Sequence, residues 1–291
     1  MKKTLSKETN IQSTPAQHNI GLILARMEEG TYLTNPSLAA RDQLSIDLDQ
    51  WQKDVIDTLL VGDKQRVSVR AGHGTGKSLT ASVLAHIFLN NFPSSRIIVT
   101  GPTGRQTRLQ FWSYLNRIWQ TNFLKDKIEW LKTKMYIKGH EEDWFAAWVT
   151  SKNPKNAEGF HCENLLWIIE EAKTVQDAVF EGVQGALSQK NNFFYISSTC
   201  GAPQGFFYKT HTVNKDLWDT FHMPSWKSPR VSPQKIEMWR REWGEDNPIF
   251  QARVAAEFPD ENVHCVVPLS HLLRAVDNSS DNDSEDIDFA A

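Results

Sequence analysis

Short, nearly unbroken apolar runs recur along this chain, and helical patterns separate them. Val67-Ser68-Val69, Ile97-Ile98-Val99, Leu165-Leu166-Trp167-Ile168-Ile169 and Phe193-Phe194-Tyr195-Ile196 lack the in/out alternation of a half-exposed strand, which predicts strands buried on both faces. Between and before them, apolar positions recur with a helical period. One such segment runs from about Asp47 to Leu60, with Trp51, Val55, Ile56, Leu59 and Leu60 near one face; others span Leu79 to Asn90, Arg105 to Trp119 and Val175 to Leu187. Strand alternating with helix predicts an α/β fold with a parallel sheet of at least four strands. Met135-Tyr136-Ile137 and Ala146-Ala147-Trp148-Val149, joined through Glu141-Glu142-Asp143, predict an antiparallel hairpin at one edge.

The ends read differently. Residues 1–17 are polar and aperiodic, and with a short helix at Ile20 to Met27 they are assigned to an N-terminal arm, residues 1–40. The core is assigned to 41–223. Pro224, Pro229 and Pro233 then punctuate a loop, and helical patterns at Lys235 to Trp243 and Pro248 to Ala256 predict a small second subdomain, 224–272. Residues 273–291 form the end of the chain, and their acidic, almost apolar-free stretch Asp277 to Asp286 reads by composition as a disordered tail.

Composition alters little. A content of 40% hydrophobic and 23% charged residues is ordinary for a soluble globular protein, and a formal net charge of -3 leaves any nucleic-acid contact to local patches. The three cysteines, Cys162, Cys200 and Cys265, lack metal-ligand spacing and suit a reducing compartment. No apolar run reaches the roughly 20 residues that a membrane helix needs, and Met1-Lys2-Lys3 is not followed by a signal-peptide core.

Chemistry enters between the first strand and the helix after it. Arg70-Ala71-Gly72-His73-Gly74-Thr75-Gly76-Lys77-Ser78 joins a strand to a helix through a glycine-rich turn. Such a turn lets backbone N–H groups curl around phosphate. Gly72, His73, Gly74, Thr75 and Gly76 would form the cradle, Lys77 would reach the β/γ-phosphates, and the Ser78 hydroxyl would ligate Mg²⁺. Ala71 stands where the usual pattern has its first glycine, and Gly72 and Gly74 supply the turn's freedom.

Hydrolysis of a triphosphate also needs carboxylates, to hold the metal and to activate water. Glu170 and Glu171 directly follow the buried run, at the strand end where open parallel sheets bind ligands. Glu170 is read as supporting Mg²⁺, through water, and Glu171 as the general base. Ser197-Ser198-Thr199 ends the next strand, where Thr199 is placed to feel the γ-phosphate. Gln52 precedes the first strand at the distance of an adenine-reading glutamine. Arg70, Arg105 and Arg108 are the candidates for the cation that meets developing phosphoryl charge; the sequence does not choose among them.

In their order these stretches resemble the large terminase subunit of tailed bacteriophages. The resemblance covers about residues 45–290 and includes Trp51-Gln52, Arg70 to Ser78, Val99 to Thr103 with Gln106, Gly159-Phe160-His161, Ile168 to Lys173 and Ser197 to Thr199. It continues through Pro203 to Phe207, Gln251 to Pro259 and Val267-Pro268-Leu269. It implies a RecA-like, additional-strand P-loop NTPase core with a lid subdomain, using ATP and Mg²⁺, an adenine contact near Gln52 and a coupling motif at Ser197 to Thr199. It further implies double-stranded DNA, a small terminase subunit and a portal protein as partners, a homo-oligomeric ring when assembled and a monomer when isolated, no membrane, and the host bacterial cytoplasm as location. An RNase H-like nuclease domain follows in that family. Here the chain ends at Ile287-Asp288-Phe289-Ala290-Ala291, which resembles the start of that domain with Asp288 as a single metal-site aspartate, so no nuclease activity is expected.

Two other functions fit parts of the pattern. A superfamily-2 helicase would need a second RecA-like lobe, which the residues after Thr199 are too few to build. A non-catalytic ATP-gated assembly switch would not need Lys77, Ser78 and Glu171 together. Candidate DNA patches are Lys125, Lys127, Lys132 and Lys134, or Arg230, Lys235, Arg240 and Arg241 with Trp239 and Trp243, although a solvated helix face with tryptophans underneath is the favoured reading for either.

Overall fold

Eight strands join in a single sheet in the computed structural model, which describes residues 19–102, 105–150 and 159–259. They are β1 (Arg66–Ala71), β2 (Arg96–Gly101), β3 (Ile128–Trp130), β4 (Lys134–Ile137), β5 (Phe145–Thr150), β6 (Asn164–Glu170), β7 (Asn191–Ser198) and β8 (Asp219–Met223). The helices are α1 (Ile20–Glu28), α2 (Thr31–Thr34), α3 (Leu38–Leu44), α4 (Gln50–Val61), α5 (Lys77–Asn91), α6 (Arg105–Thr121), α7 (Asp177–Ala186), α8 (Gly205–Thr210), α9 (Pro233–Trp243) and α10 (Pro248–Phe250). None is long and apolar enough to cross a membrane among the described residues.

The sheet order is β3-β4-β5-β2-β6-β7-β1-β8. From β5 to β8 every pairing is parallel, and β3-β4 and β4-β5 are antiparallel. The expected hairpin is present, with Met135 opposite Ala146. One strand, β7, lies between the strand that leads into the glycine-rich turn and the strand that ends in the two glutamates. That inserted strand is the additional-strand arrangement expected from the sequence.

The central strands read as continuous apolar runs because both faces are covered. Ile168 and Tyr195 pack on the side of α5, and Trp167, Ile169 and Phe194 on the side of α7. Helix α5 is buried at every position from Leu79 to Asn90, as a helix apolar all round should be. Several of its polar residues are satisfied internally. His86 Nε2 donates to the Leu115 carbonyl at 3.0 Å and its Nδ1 accepts from Asn122 at 3.1 Å, while Asn90 joins Asn122 to Gln43 of α3 at 3.2 Å.

Two sequence expectations change here. The arm boundary at residue 40 does not match the packing, because Ile23, Tyr32, Ala39, Ala40 and Leu44 sit in the main core and Asp57 of α4 accepts bonds from Ser37 N and Oγ, both at 2.7 Å. The sheet's eight strands agree with the expected minimum of four; β3 and β8 are short, and β8 lacks an apolar run because it is an edge. The second predicted helix of the subdomain splits into α10 and a π turn, Gln251–Ala255. Residues 1–18 and 260–291, which include the resemblance around Val267 and the nuclease-like end at Asp288, lie outside the described residues.

Candidate functional site

The parallel strands deliver their C-terminal ends to one edge, and β1 reaches it at Ala71. That residue is a fully buried strand position without positive φ, so nothing there requires glycine. Left-handed backbone is needed further on, at Gly74 (φ 75°) and Gly76 (φ 98°), where the chain turns into α5. Thr75 Oγ1 closes the turn on the Gly72 carbonyl at 2.9 Å. Lys77 folds back over it, donating to the carbonyls of Ala71 and Gly72 at 3.0 Å each. Burial pushes the pKa of Lys77 down, against the charges of Glu171 and Glu170, which favour the ammonium.

Opposite the turn, Ser78 Oγ donates to Glu170 Oε2 at 2.8 Å, and Ser197 Oγ to Glu170 Oε1 at 3.0 Å. Glu170 is only 4% exposed, and desolvation raises its pKa to about 7 in spite of both hydroxyls. A buried carboxylate held to a serine at a helix N-terminus is an arrangement that could hold a cation. The donor set suits Mg²⁺, which takes one or two carboxylates and leaves its other positions to water and phosphate. No group of three or more His, Cys, Asp or Glu side chains converges among the described residues.

Glu171 leaves β6 in the left-handed region, φ 52°, and starts the 3-10 turn Ala172–Thr174. This strained step turns the second glutamate away from the buried position of the first. Its charge bears on both Lys77 and Lys173. Thr199, just past β7, accepts from Lys173 Nζ at 2.6 Å. Lys77, Ser78, Glu170, Glu171 and Thr199 therefore meet at one sheet edge.

Gln52 takes a different place. It is fully buried behind the loop, where Nε2 donates to the Gly76 carbonyl at 3.2 Å and to Thr80 Oγ1 at 2.9 Å. Its Oε1 accepts from Asp49 N at 3.0 Å and from Arg230 Nη2 at 3.2 Å, and Arg230 Nε is paired with Asp49 at 2.7 Å. The amide thus braces the phosphate loop from within.

Arg70 also turns elsewhere. Its guanidinium pairs with Glu257, donates to the Ala256 carbonyl at 3.1 Å and lies over the Phe258 ring. The side chains of Arg105 and Arg108 lie outside the described residues.

The segment that holds Arg70 is the end of the small subdomain, where the π turn leaves carbonyls without helical partners. Core groups cap them. Cys200 N–H donates to the Ala252 carbonyl at 3.3 Å and His73 N–H to the Arg253 carbonyl at 2.7 Å, while His222 Nε2 reaches the Ala255 carbonyl at 2.8 Å. Gly72 fits this junction only as glycine, because a Cβ there would lie 2.3 Å from Ser225 Oγ and 2.8 Å from the Val254 carbonyl.

Sequence reasoning missed Lys173, Arg253 and the Asp49–Arg230 pair. Lys173 closes the matched stretch Ile168 to Lys173, Arg253 lies within Gln251 to Pro259 and Arg230 in the second basic patch, but nothing in the sequence assigned any of them these contacts. In the second basic patch, Arg240 and Arg241 are paired with Glu237 and Arg240 also with Glu245, as Arg230 is with Asp49. In the first, Lys125 lies over Trp119, and Lys134 over Phe145 at 4.5 Å.

The fold is that of a P-loop NTPase of the additional-strand kind. No protein-family model matches the chain. The probable terminase large subunit of Enterobacteria phage P7 is 33% identical over 241 residues, 76% of this chain and 48% of that protein. The chain belongs to the family of phage terminase large subunits and spans about half the length of that curated relative. Solved structures give the same fold. The Thermus phage P74-26 large terminase ATPase domain has a TM-score of 0.57 at 20% identity, covering 74% of this chain and 95% of that one. The large terminase of another thermophilic bacteriophage has a TM-score of 0.61 at 12% identity, covering 74% of this chain and 54% of that one.

Proposed function

We propose that this chain is the ATPase motor domain of a terminase, hydrolysing ATP to ADP and phosphate and using the energy to move double-stranded DNA into a procapsid. The observation that carries the reading is the 2.8 Å bond from Ser78 Oγ to Glu170 Oε2, which joins the phosphate loop to the acidic strand end across the inserted β7. Ser78 and Glu170 would hold Mg²⁺, whose contribution is to neutralise phosphate charge. Lys77, now on the carbonyls of Ala71 and Gly72, is placed to turn to the β/γ-phosphates. Glu171, outside the buried pocket of Glu170, orients and deprotonates the attacking water.

The relative from phage P7 is named a probable terminase large subunit, and a large terminase from a thermophilic bacteriophage has been solved in complex with ADP. The first supports a role in packaging and the second nucleotide binding. The small terminase subunit, the portal protein and a ring of like subunits are the partners this reading entails.

The test is ATP turnover by the purified chain, with and without double-stranded DNA, beside Lys77→Ala and Glu171→Gln. Turnover lost in both variants and raised by DNA is expected. Unchanged nucleotide binding in Lys77→Ala, or wild-type turnover in Glu171→Gln, contradicts the assignment.

A further inference from the structure

Lys173 is an exposed residue whose side chain nevertheless turns back onto the end of the sheet. It lies in the 3-10 turn that starts directly after Glu171. Its side chain runs back across the end of β7, so that a Cβ on Gly201 would come within 3.2 Å of its Cδ. There Nζ donates to Thr199 Oγ1 at 2.6 Å and to the Cys200 carbonyl at 3.1 Å, and the backbone N–H of Lys173 lies 3.4 Å from Ser198 Oγ. One residue therefore grips three consecutive positions at the end of β7.

The grip continues into the small subdomain. Cys200, whose carbonyl Lys173 holds, donates its own N–H to the Ala252 carbonyl at 3.3 Å. The next carbonyl, that of Arg253, accepts from His73 in the phosphate loop at 2.7 Å. Neighbouring lid carbonyls thus sense the two sides of the nucleotide site, and the side remote from the loop is reached through Lys173.

Lys173 is an exposed residue, yet its ammonium is held by a hydroxyl and a carbonyl, neither of which offsets its charge. A purely architectural contact would be made as well by a neutral side chain. The opposing charge here is Glu171, two residues away.

We propose that Lys173 is a positioning residue that locks the Glu171 turn to Thr199 and, through Cys200, to the lid, so that base, hydroxyl motif and lid move as one unit. The inference rests on the ATPase reading for the role of Glu171.

The experiment measures steady-state ATP turnover and amide hydrogen exchange in Lys173→Met, Lys173→Arg and Thr199→Val, the last keeping the lysine and removing its acceptor. Lys173→Met is expected to lower kcat by about tenfold or more while KM stays within about threefold, and Lys173→Arg to restore most of it. Thr199→Val should lose a similar factor, and the Lys173→Met/Thr199→Val double variant no more than the larger single loss. The Cys200 amide should exchange faster in Lys173→Met, whereas the His73 amide, bonded to Arg253, keeps its protection. Wild-type kcat in Lys173→Met overturns the proposal, and so does a loss that arginine does not restore with Cys200 protected as in the wild type. Absence of turnover in the wild-type chain would instead remove the ATPase reading, and Cys200 exchange in the variants would then decide on the clamp by itself. Should Lys173→Met fail to fold, Thr199→Val carries the same comparison.

Discussion

Gln52 and Gly76 are joined by a hydrogen bond of 3.2 Å, from the buried side-chain amide of the one to the carbonyl of the other. Helix α4 thereby fixes the last residue of the glycine-rich turn, at the point where φ of 98° starts α5. Arg230, from the small subdomain, fastens the other end of the same amide. A residue at the sequence distance of a base reader is here a strut.

Replacing it tests that difference. Gln52→Ala leaves the Gly76 carbonyl and Thr80 hydroxyl without this donor and should cost about 1–3 kcal/mol of stability. Binding of ATP and of GTP should weaken by the same factor, because the loop and not the base is disturbed. Paired titrations with the two nucleotides check this; selective loss of ATP would restore Gln52 as the adenine contact.

Glu170→Gln keeps the shape and removes the charge. Since the carboxyl is buried with a pKa raised to about 7, the neutral amide should fold at least as well as the wild type by thermal melting. Nucleotide affinity should lose its dependence on Mg²⁺, and turnover should fall by about a hundredfold or more.

Gly72→Ala drives a methyl against Ser225 Oγ and the backbone carbonyl of Val254, the latter unable to swing aside. Overpacking of this kind costs about 1–3 kcal/mol. The lid junction should open first, seen as faster exchange of the His73 amide before any change in the central strands.

Acid should weaken the protein through His86. The buried, neutral imidazole has its pKa lowered from 6.5 to about 4 by desolvation. Below 6.5 the unfolded chain takes up a proton that the folded chain refuses until about pH 4, so the stability this group contributes is complete above 6.5 and declines as pH falls towards 4. The decline is bounded at about 3 kcal/mol for a shift of this size. Denaturant midpoints measured across that range should fall more steeply in the wild type than in His86→Gln.

Most of the architecture was legible along the chain. Continuous apolar runs marked β1, β2, β6 and β7, since strands covered on both faces cannot alternate, and a strand-to-helix turn with glycines before Lys77-Ser78 has few uses besides holding phosphate. The glutamate pair after Ile169 was legible for the same reason, because a strand's C-terminal end in a parallel sheet is where charge can surface. The edge strand β8 was not, because one open side removes the apolar signal.

What only the tertiary structure decided is the direction in which long polar side chains turn. Sequence places Arg70 at the entrance to the loop, yet its guanidinium is drawn to Glu257, remote in sequence and brought alongside by the lid. Gln52 is within reach of a nucleotide by spacing alone, but packing turns it inward onto Gly76. Lys173 showed no periodic or chemical signal of its own, and becomes part of the site because β7 is inserted beside β6 and brings Thr199 to its ammonium. Local chemistry specifies a strand, a turn or a carboxylate at a strand end; partners of a flexible charged side chain are set by which distant segments the fold packs against it.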